Sequence, residues 1–261
     1  ASSAASDVYK RQDYLIATGY SSPYPDGTMP LGGMNFELND LETDPERNET
    51  EPLVIDLKRT VAEIREARRQ ADIVVVSVHT HEMRGRDTMV PPEFLETFAH
   101  ACVDAGASAV IGHGPHQLRG LEIYKGAPVF YSIGNFIFET ETVERQPADA
   151  FLGKGMPADT KVGAYMDARS MNGTRGYIVD PHIWEAVVPE WTVADGRVRD
   201  LVLYHVTLGQ KAPRSERGLP RLAEGDEAKA ILSHLKDLSE PYGTKIQIEN
   251  GVARVKLGSK A

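Results

Sequence analysis

Between Ala71 and Phe138 the chain carries three apolar runs, and each ends in polar residues able to do chemistry. The first ends at His79, Thr80, His81 and Glu82. The second ends at Gly112, His113, Gly114, Pro115 and His116, and the third at Ser132, Gly134 and Asn135. Asp72 to Val78 is a continuous β-branched run, the pattern of a strand buried on both faces. Pro91 and Pro92 suit the start of a helix, where a missing N–H does no harm. Phe94, Leu95, Phe98, Cys102 and Ala105 then recur at helical spacing, and Gly106 is placed to end the helix. Ser108 to Ile111 reads as a second strand. A strand–helix–strand unit of this kind is right-handed with parallel strands, so both His-bearing loops leave the same edge of one sheet. Ligands of open α/β sheets bind at that edge. Neighbouring strands lie about 5 Å apart, which lets His79, His113 and His116 converge. Convergent imidazoles point to a metal. A lone strand-end histidine is as a rule structural, and at this level both readings stay open.

These residues carry a resemblance. VSVH ending at His79, DAGASAVIGHGPH at 104–116 and GLEIYKGAPVFYSIGNFIF at 120–138 resemble the bacterial capsule-synthesis CapA family of poly-γ-glutamate capsule proteins. The C-terminal text from Gly218 to Ile246 resembles that family's ending. The family is similar in fold to the calcineurin-like metallophosphoesterases. The resemblance implies an α/β fold: a layered β-sandwich flanked by helices, incomplete at its N-terminus, with a C-terminal helix and β-hairpin. It implies metal ligands at His79, His113 and His116, holding two divalent ions in the intact protein (Mn, Fe or Zn). Beside these ligands, His81 reads as an extra ligand or a substrate contact, Asn135 as a contact to a metal-bound oxygen or a cap of the local backbone, and Arg119 as a surface residue or a phosphate partner, since a guanidinium fits phosphate oxygens in a bidentate way. The chain departs from the pattern at Gly114, where many relatives have another His, and at Thr80-His81, where relatives often show Trp-Gly.

Residues 1–12, ASSAASDVYKRQ, resemble translated adapter sequence and are set aside from fold reasoning. The family's upstream Gly-Asp, acidic or Asn-bearing strand end and Asn-His motif have no counterpart in this sequence, so the chain is expected to be the C-terminal part of a longer protein. Residues 13–51 are polar and rich in Gly, Pro, Asn and Asp, with a short strand at Tyr14 to Ile16 and otherwise the look of a surface loop. Residues 52–212 are expected to form the metallophosphatase-type core, and 213–261 a helix–hairpin extension of the same domain. Asp56 to Gln70 reads as a helix. Leu121–Tyr124 and Pro128–Ile133 flank Lys125-Gly126 as a hairpin. Glu139 to Gly173 reads as a long, partly helical excursion. Tyr177 to Val188, Trp191 to Val193 and Val198 to Leu208 read as strands, with a turn at Asp195-Gly196. His182 and His205 lie in that region without a partner motif and read as structural. Gly225 to Leu238 is an amphipathic helix, followed by a hairpin at 246–257 that packs on the core or meets a partner.

A chain of 261 residues has ample length for a core. Its 29 basic and 38 acidic residues give a net charge of −9, and the basic ones are scattered, which argues against nucleic acid as a partner. Membrane association is left open. The single cysteine, Cys102, excludes an internal disulfide. Two functions of different class follow. One is a metal-dependent phosphoesterase-type hydrolase in the intact parent, with the isolated chain inactive. The other is a non-catalytic component of capsule assembly or export that binds an anionic polymer such as poly-γ-glutamate. Either implies an anionic substrate, the capsule synthesis machinery as partner, and an extracytoplasmic place in the bacterial cell envelope.

Overall fold

The computed structural model describes residues 29–31, 34–36, 50–85, 87–194 and 197–257. Strands β1 (Met29–Leu31) and β2 (Met34–Phe36) pair antiparallel as a small hairpin in a unit of their own, residues 1–49. Residues 29–36 fall in the part that was expected to be surface loop. The expected strand at Tyr14 to Ile16 and the segment 1–12 lie outside the described residues.

The second unit begins with helix α1 (Val54–Gln70), strand β3 (Val75–His79), helix α2 (Glu93–Ala105) and strand β4 (Ala109–His113). Helix α2 starts after Pro92, whose backbone is extended, and ends at Gly106 in the left-handed conformation. Its N-terminal Phe94 N–H finds an acceptor in the hydroxyl of Thr50, at 3.2 Å, which substitutes for a local cap. Strands β5 (Leu121–Tyr124) and β6 (Ala127–Phe130) follow. Their turn places Lys125 at φ 51° and Gly126 at φ 85°, two positive values that match the twist of a hairpin. The sheet order is β3-β4-β6-β5. β3, β4 and β6 run parallel, and β5 is antiparallel to β6.

Helices α3 (Ala148–Leu152) and α4 (Val162–Ser170) occupy the excursion. The expected strand at Tyr177 does not begin there. Tyr177–Val179 and Pro181–Trp184 are 3-10 turns, and the strand β7 spans Glu185–Ala194. Pro181 fixes φ and brings no N–H to a ladder, so the chain turns before it pairs. β8 (Arg197–Thr207) returns antiparallel to β7, and the turn at Asp195-Gly196 lies outside the described residues. β9 (Arg221–Leu222), helix α5 (Gly225–Ser239) and strands β10 (Ile246–Glu249) and β11 (Val252–Val255) complete the unit. The second sheet has the order β10-β11-β8-β7, with β9 added to β8, and is antiparallel throughout. Through the pairing of β11 with β8, the C-terminal hairpin joins the core rather than standing off it.

The result is a mixed α/β structure with two sheets and flanking helices. One core lies between the sheets and α5, with Leu118, Leu121 and Phe130 from the first sheet region meeting Leu201, Leu203, Ile231 and Leu235. The other lies between the first sheet and helices α1 and α2, where Ile64, Leu95, Ala99 and Cys102 meet Val110 and Val129. Cys102 is fully buried there, and burial pushes its thiol up to about 11. One expectation is corrected. β3 is not buried on both faces: it is an edge strand whose exposure alternates along its length, and Val75 is 48% exposed. Val76 and Val78 face the helices, while Val75, Ser77 and His79 share the opposite face, which no described element covers at that edge.

Leu235 of α5 is 0% exposed at the centre of the inter-sheet core. Leu235→Ala is expected to cost about 2–5 kcal/mol, the range for a large-to-small change with a cavity left behind. Urea unfolding of the variant beside the parent measures it, and a cost near zero would show that α5 is not integral to the fold.

Candidate metal centre

The register of β3 on β4 decides what the site contains. Val75 pairs with Ala109, and the ladder runs in step until His79 stands beside His113. Side chains in step on parallel strands share a face, so both imidazoles emerge together at the C-terminal ends. Their Nδ1 atoms are 2.8 Å apart. His79 Nε2 is 3.0 Å from Nε2 of His81, so His79 stands between the other two. Nε2 of His113 lies 2.8 Å from the hydroxyl of Ser77, also on the exposed face of β3. Burial, with the neighbouring His79 second, lowers the pKa of His113 and favours the neutral ring that a metal needs.

His116 reaches the group from the loop after β4. Its ring centroid is 5.4 Å from that of His81. The residue sits at φ 61°, an uncommon conformation for a side-chain-bearing residue. Asn135 holds it: His116 Nδ1 is 2.8 Å from Asn135 Oδ1, and Asn135 Nδ2 donates to the carbonyls of His116 at 3.2 Å and Ile183 at 3.0 Å. With Nδ1–H given to Asn135, Nε2 is the free ligand atom, the arrangement by which outer partners orient a metal-ligating imidazole. Phe138 and Tyr177 close around the ring, at 5.5 and 5.6 Å between centroids.

Gly114, where the resemblance implies a histidine in many relatives, has φ +125°, and a Cβ there would come within 2.4 Å of the Thr80 carbonyl oxygen. The Thr80 N–H donates to the His113 carbonyl at 2.9 Å, so the two His-bearing loops are in backbone contact. A histidine at this place would have to push them apart.

Arg119 is not where a substrate contact would be. It is fully buried, Nε donates to the Thr88 carbonyl at 2.8 Å and Nη2 to the Glu82 carbonyl at 2.7 Å. Burial lowers its pKa to about 10, with nearby Tyr242, Glu82 and Asp87 acting in the other direction. The residue braces the loop that follows His81 instead of facing solvent.

A second group, which sequence reasoning missed, forms around the start of β7. Glu185 Oε2 lies 3.0 Å from His182 Nδ1 and 2.8 Å from His234 Nδ1. Among the described residues this is the group of three whose donor atoms fall together closely enough to share one ion. His182 and Glu185 are three apart in sequence, but His234 comes from α5, and nothing local in the sequence announces it. His205, also read as structural, is buried on β8.

A family model described as bacterial capsule synthesis protein PGA_cap matches residues 14–140. Through this match the chain is similar to the CapA family. A Sinorhizobium fredii protein, y4sH, is 34% identical over 211 residues, which is 77% of this chain and 45% of the relative. The PGA biosynthesis protein CapA of Bacillus subtilis is 43% identical over 76 residues, 29% of this chain and 19% of the relative. The capsule biosynthesis protein CapA of Bacillus anthracis is 44% identical over 69 residues, 26% and 16% respectively. The chain thus spans less than half the length of the curated relatives it matches. Among its described residues no helix is long and apolar enough to cross a membrane.

The strand-end donor set consists of imidazole nitrogens, which suit Zn, Fe or related metals better than Mg or Ca; among the described residues these histidines do not bring three donor atoms within reach of one ion. His113→Ala is expected to lower metal uptake more than His205→Ala, measured by equilibrium dialysis with elemental analysis; equal losses would remove the assignment. Arg119→Met leaves two loop carbonyls without their charged donor. It is expected to lower stability by about 1.5–3 kcal/mol, the worth of hydrogen bonds to a charged group. An unchanged urea midpoint would return Arg119 to the list of free cations.

Proposed function

We propose that the intact protein acts in bacterial capsule or poly-γ-glutamate biosynthesis, at the cell envelope, as a metal-dependent phosphoesterase-type hydrolase. The observation that carries this reading is the contact of His79 with both His113 and His81 at the C-terminal ends of two parallel strands. Similarity to the PGA_cap family supports the process, to which the Bacillus relatives, named capsule and PGA biosynthesis proteins, belong. His79, His113 and His116 are the ligands, His81 and Asn135 the groups nearest the substrate. Bound divalent ions, two in the intact protein and drawn from Mn, Fe or Zn, would supply Lewis acidity and an activated water. Asn135 fixes the tautomer of His116 and keeps Nε2 turned outward. Phe138 and Tyr177 shield the ring from bulk water on one side.

The polymer-binding reading has an observation of its own. A cavity of about 260 Å³ is lined by Lys154, Arg169, Arg175, Tyr177 and Trp184, among others, and by Glu141, whose carboxylate is paired with Arg214 and Arg217. Tyr177 is also the residue that touches His116, so this basic cavity adjoins the histidines. Among the described residues no carboxylate forms an ion pair with these three cations, which leaves them available to an anionic chain. In this reading Arg169 and Arg175 hold successive carboxylates, and the imidazoles need not turn anything over.

The two readings separate in one experiment on the full-length protein. Hydrolysis of a phosphoester panel and binding of poly-γ-glutamate are measured with added Mn²⁺ or Zn²⁺. For the hydrolase, Asn135→Ala is expected to reduce activity about 10–100-fold, the usual effect of losing an outer partner of a metal ligand, while Arg169→Glu/Arg175→Glu weakens polymer binding. Absence of any metal-dependent turnover, with polymer binding intact and sensitive to the arginine pair, would leave the binding reading in its place.

A further inference from the structure

Of the eight histidines in the chain, only His100 and His205 stand outside two groups. One group is the strand-end cluster. The other comprises His182 and His234 around Glu185, and it shares no residue with the first. We propose that His182, Glu185 and His234 form a separate binding site for a zinc-class divalent ion, which cross-links the C-terminal helix α5 to the start of β7.

The geometry is that of a convergent donor set. His182 Nδ1 and His234 Nδ1 approach the same carboxylate oxygen at 3.0 and 2.8 Å, and the three donor atoms lie within 4.8 Å of one another. The two imidazoles lie 4.1 Å apart between centroids. Four-coordinate zinc with bonds of about 2.0–2.1 Å sets its ligand atoms roughly 3.3 Å apart. The two histidine–carboxylate distances would need to open by only a few tenths of an ångström to seat the ion. Two imidazoles and one carboxylate form a ligand set that zinc takes with a fourth position left for water. The side chains are 33%, 15% and 17% exposed for His182, Glu185 and His234, so water can reach that position.

Each donor is held from behind. His182 sits on the 3-10 turn that Pro181 opens, and its backbone N–H donates to Asp180 at 3.0 Å. Glu185 opens β7 opposite Thr207. His234 lies on α5 between the buried Ile231 and Leu235. Both imidazoles share the one Glu185 oxygen, Oε2. An ordinary ion-paired glutamate would need only one of these partners.

The test is zinc binding by the chain after chelator treatment, near neutral pH, measured by dialysis with elemental analysis. It is run on the parent, His113→Ala, Glu185→Gln and His182→Gln. The expected result is that Glu185→Gln and His182→Gln each lose about one equivalent of zinc that His113→Ala retains. Substitution by Co²⁺ in the His113→Ala chain gives a readout that does not depend on the folding of the triad variants. A visible band of four-coordinate cobalt supports the site, and its absence overturns it. Zinc uptake in Glu185→Gln and His182→Gln equal to that of the parent would overturn it as well.

Discussion

The site depends on one pairing. β3 and β4 run parallel in a register that sets His79 beside His113, and the backbone contact of Thr80 with His113 prolongs that step beyond the strands. Strand side chains alternate between faces, so a slip of one residue would send one imidazole to the helix side and separate the pair. The apolar residues forbid such a slip. Val76, Val78 and Val110 must meet α1 and α2, and that requirement fixes the histidines on the other face. The hydrophobic packing of one side of the sheet thus holds the chemistry of the other.

The loops that leave this edge are held by polar groups rather than by apolar packing. Arg119 is a fully buried cation that donates to two backbone carbonyls, while its Nη1 has no hydrogen-bond partner among the described residues. Burying a charge is costly unless hydrogen bonds compensate it, so the loop carrying Glu82 and Thr88 is committed to the position that supplies those carbonyls. Asn135 acts similarly, spanning His116 and Ile183 and so joining the loops of the first sheet to the entrance of the second. The backbone bridge of Gly134 with Ala186 lies beside it. Side chains on loops thereby gain the fixed placement that strands would give them.

Much of this was legible in the sequence. The β-branched run, the proline-started helix and the apolar face from Phe94 to Ala105 dictate a parallel strand–helix–strand unit, and that unit dictates that His79 and His113 share an edge. Gly106, Lys125-Gly126 and the amphipathic pattern from Gly225 mark boundaries that local backbone preference settles. The edge position of β3 was not legible, because a β-branched run reads alike whether its outer face is covered or open. The 3-10 turns before β7 were missed because the apolar residues around Pro181 suggested a strand.

The sequence by itself determined the strand–helix–strand order around the site, the resemblance to a family and the identity of the strand-end histidines, since those follow from local periodicity and from motifs contiguous in the chain. Only the tertiary structure decided the role of Arg119 and the meeting of His182, Glu185 and His234. A guanidinium looks the same on paper whether it faces solvent or a buried carbonyl, and a histidine on α5 finds its carboxylate only when the helix packs against the second sheet. Burial and contact between distant segments are properties of packing, and no spacing in the chain encodes them.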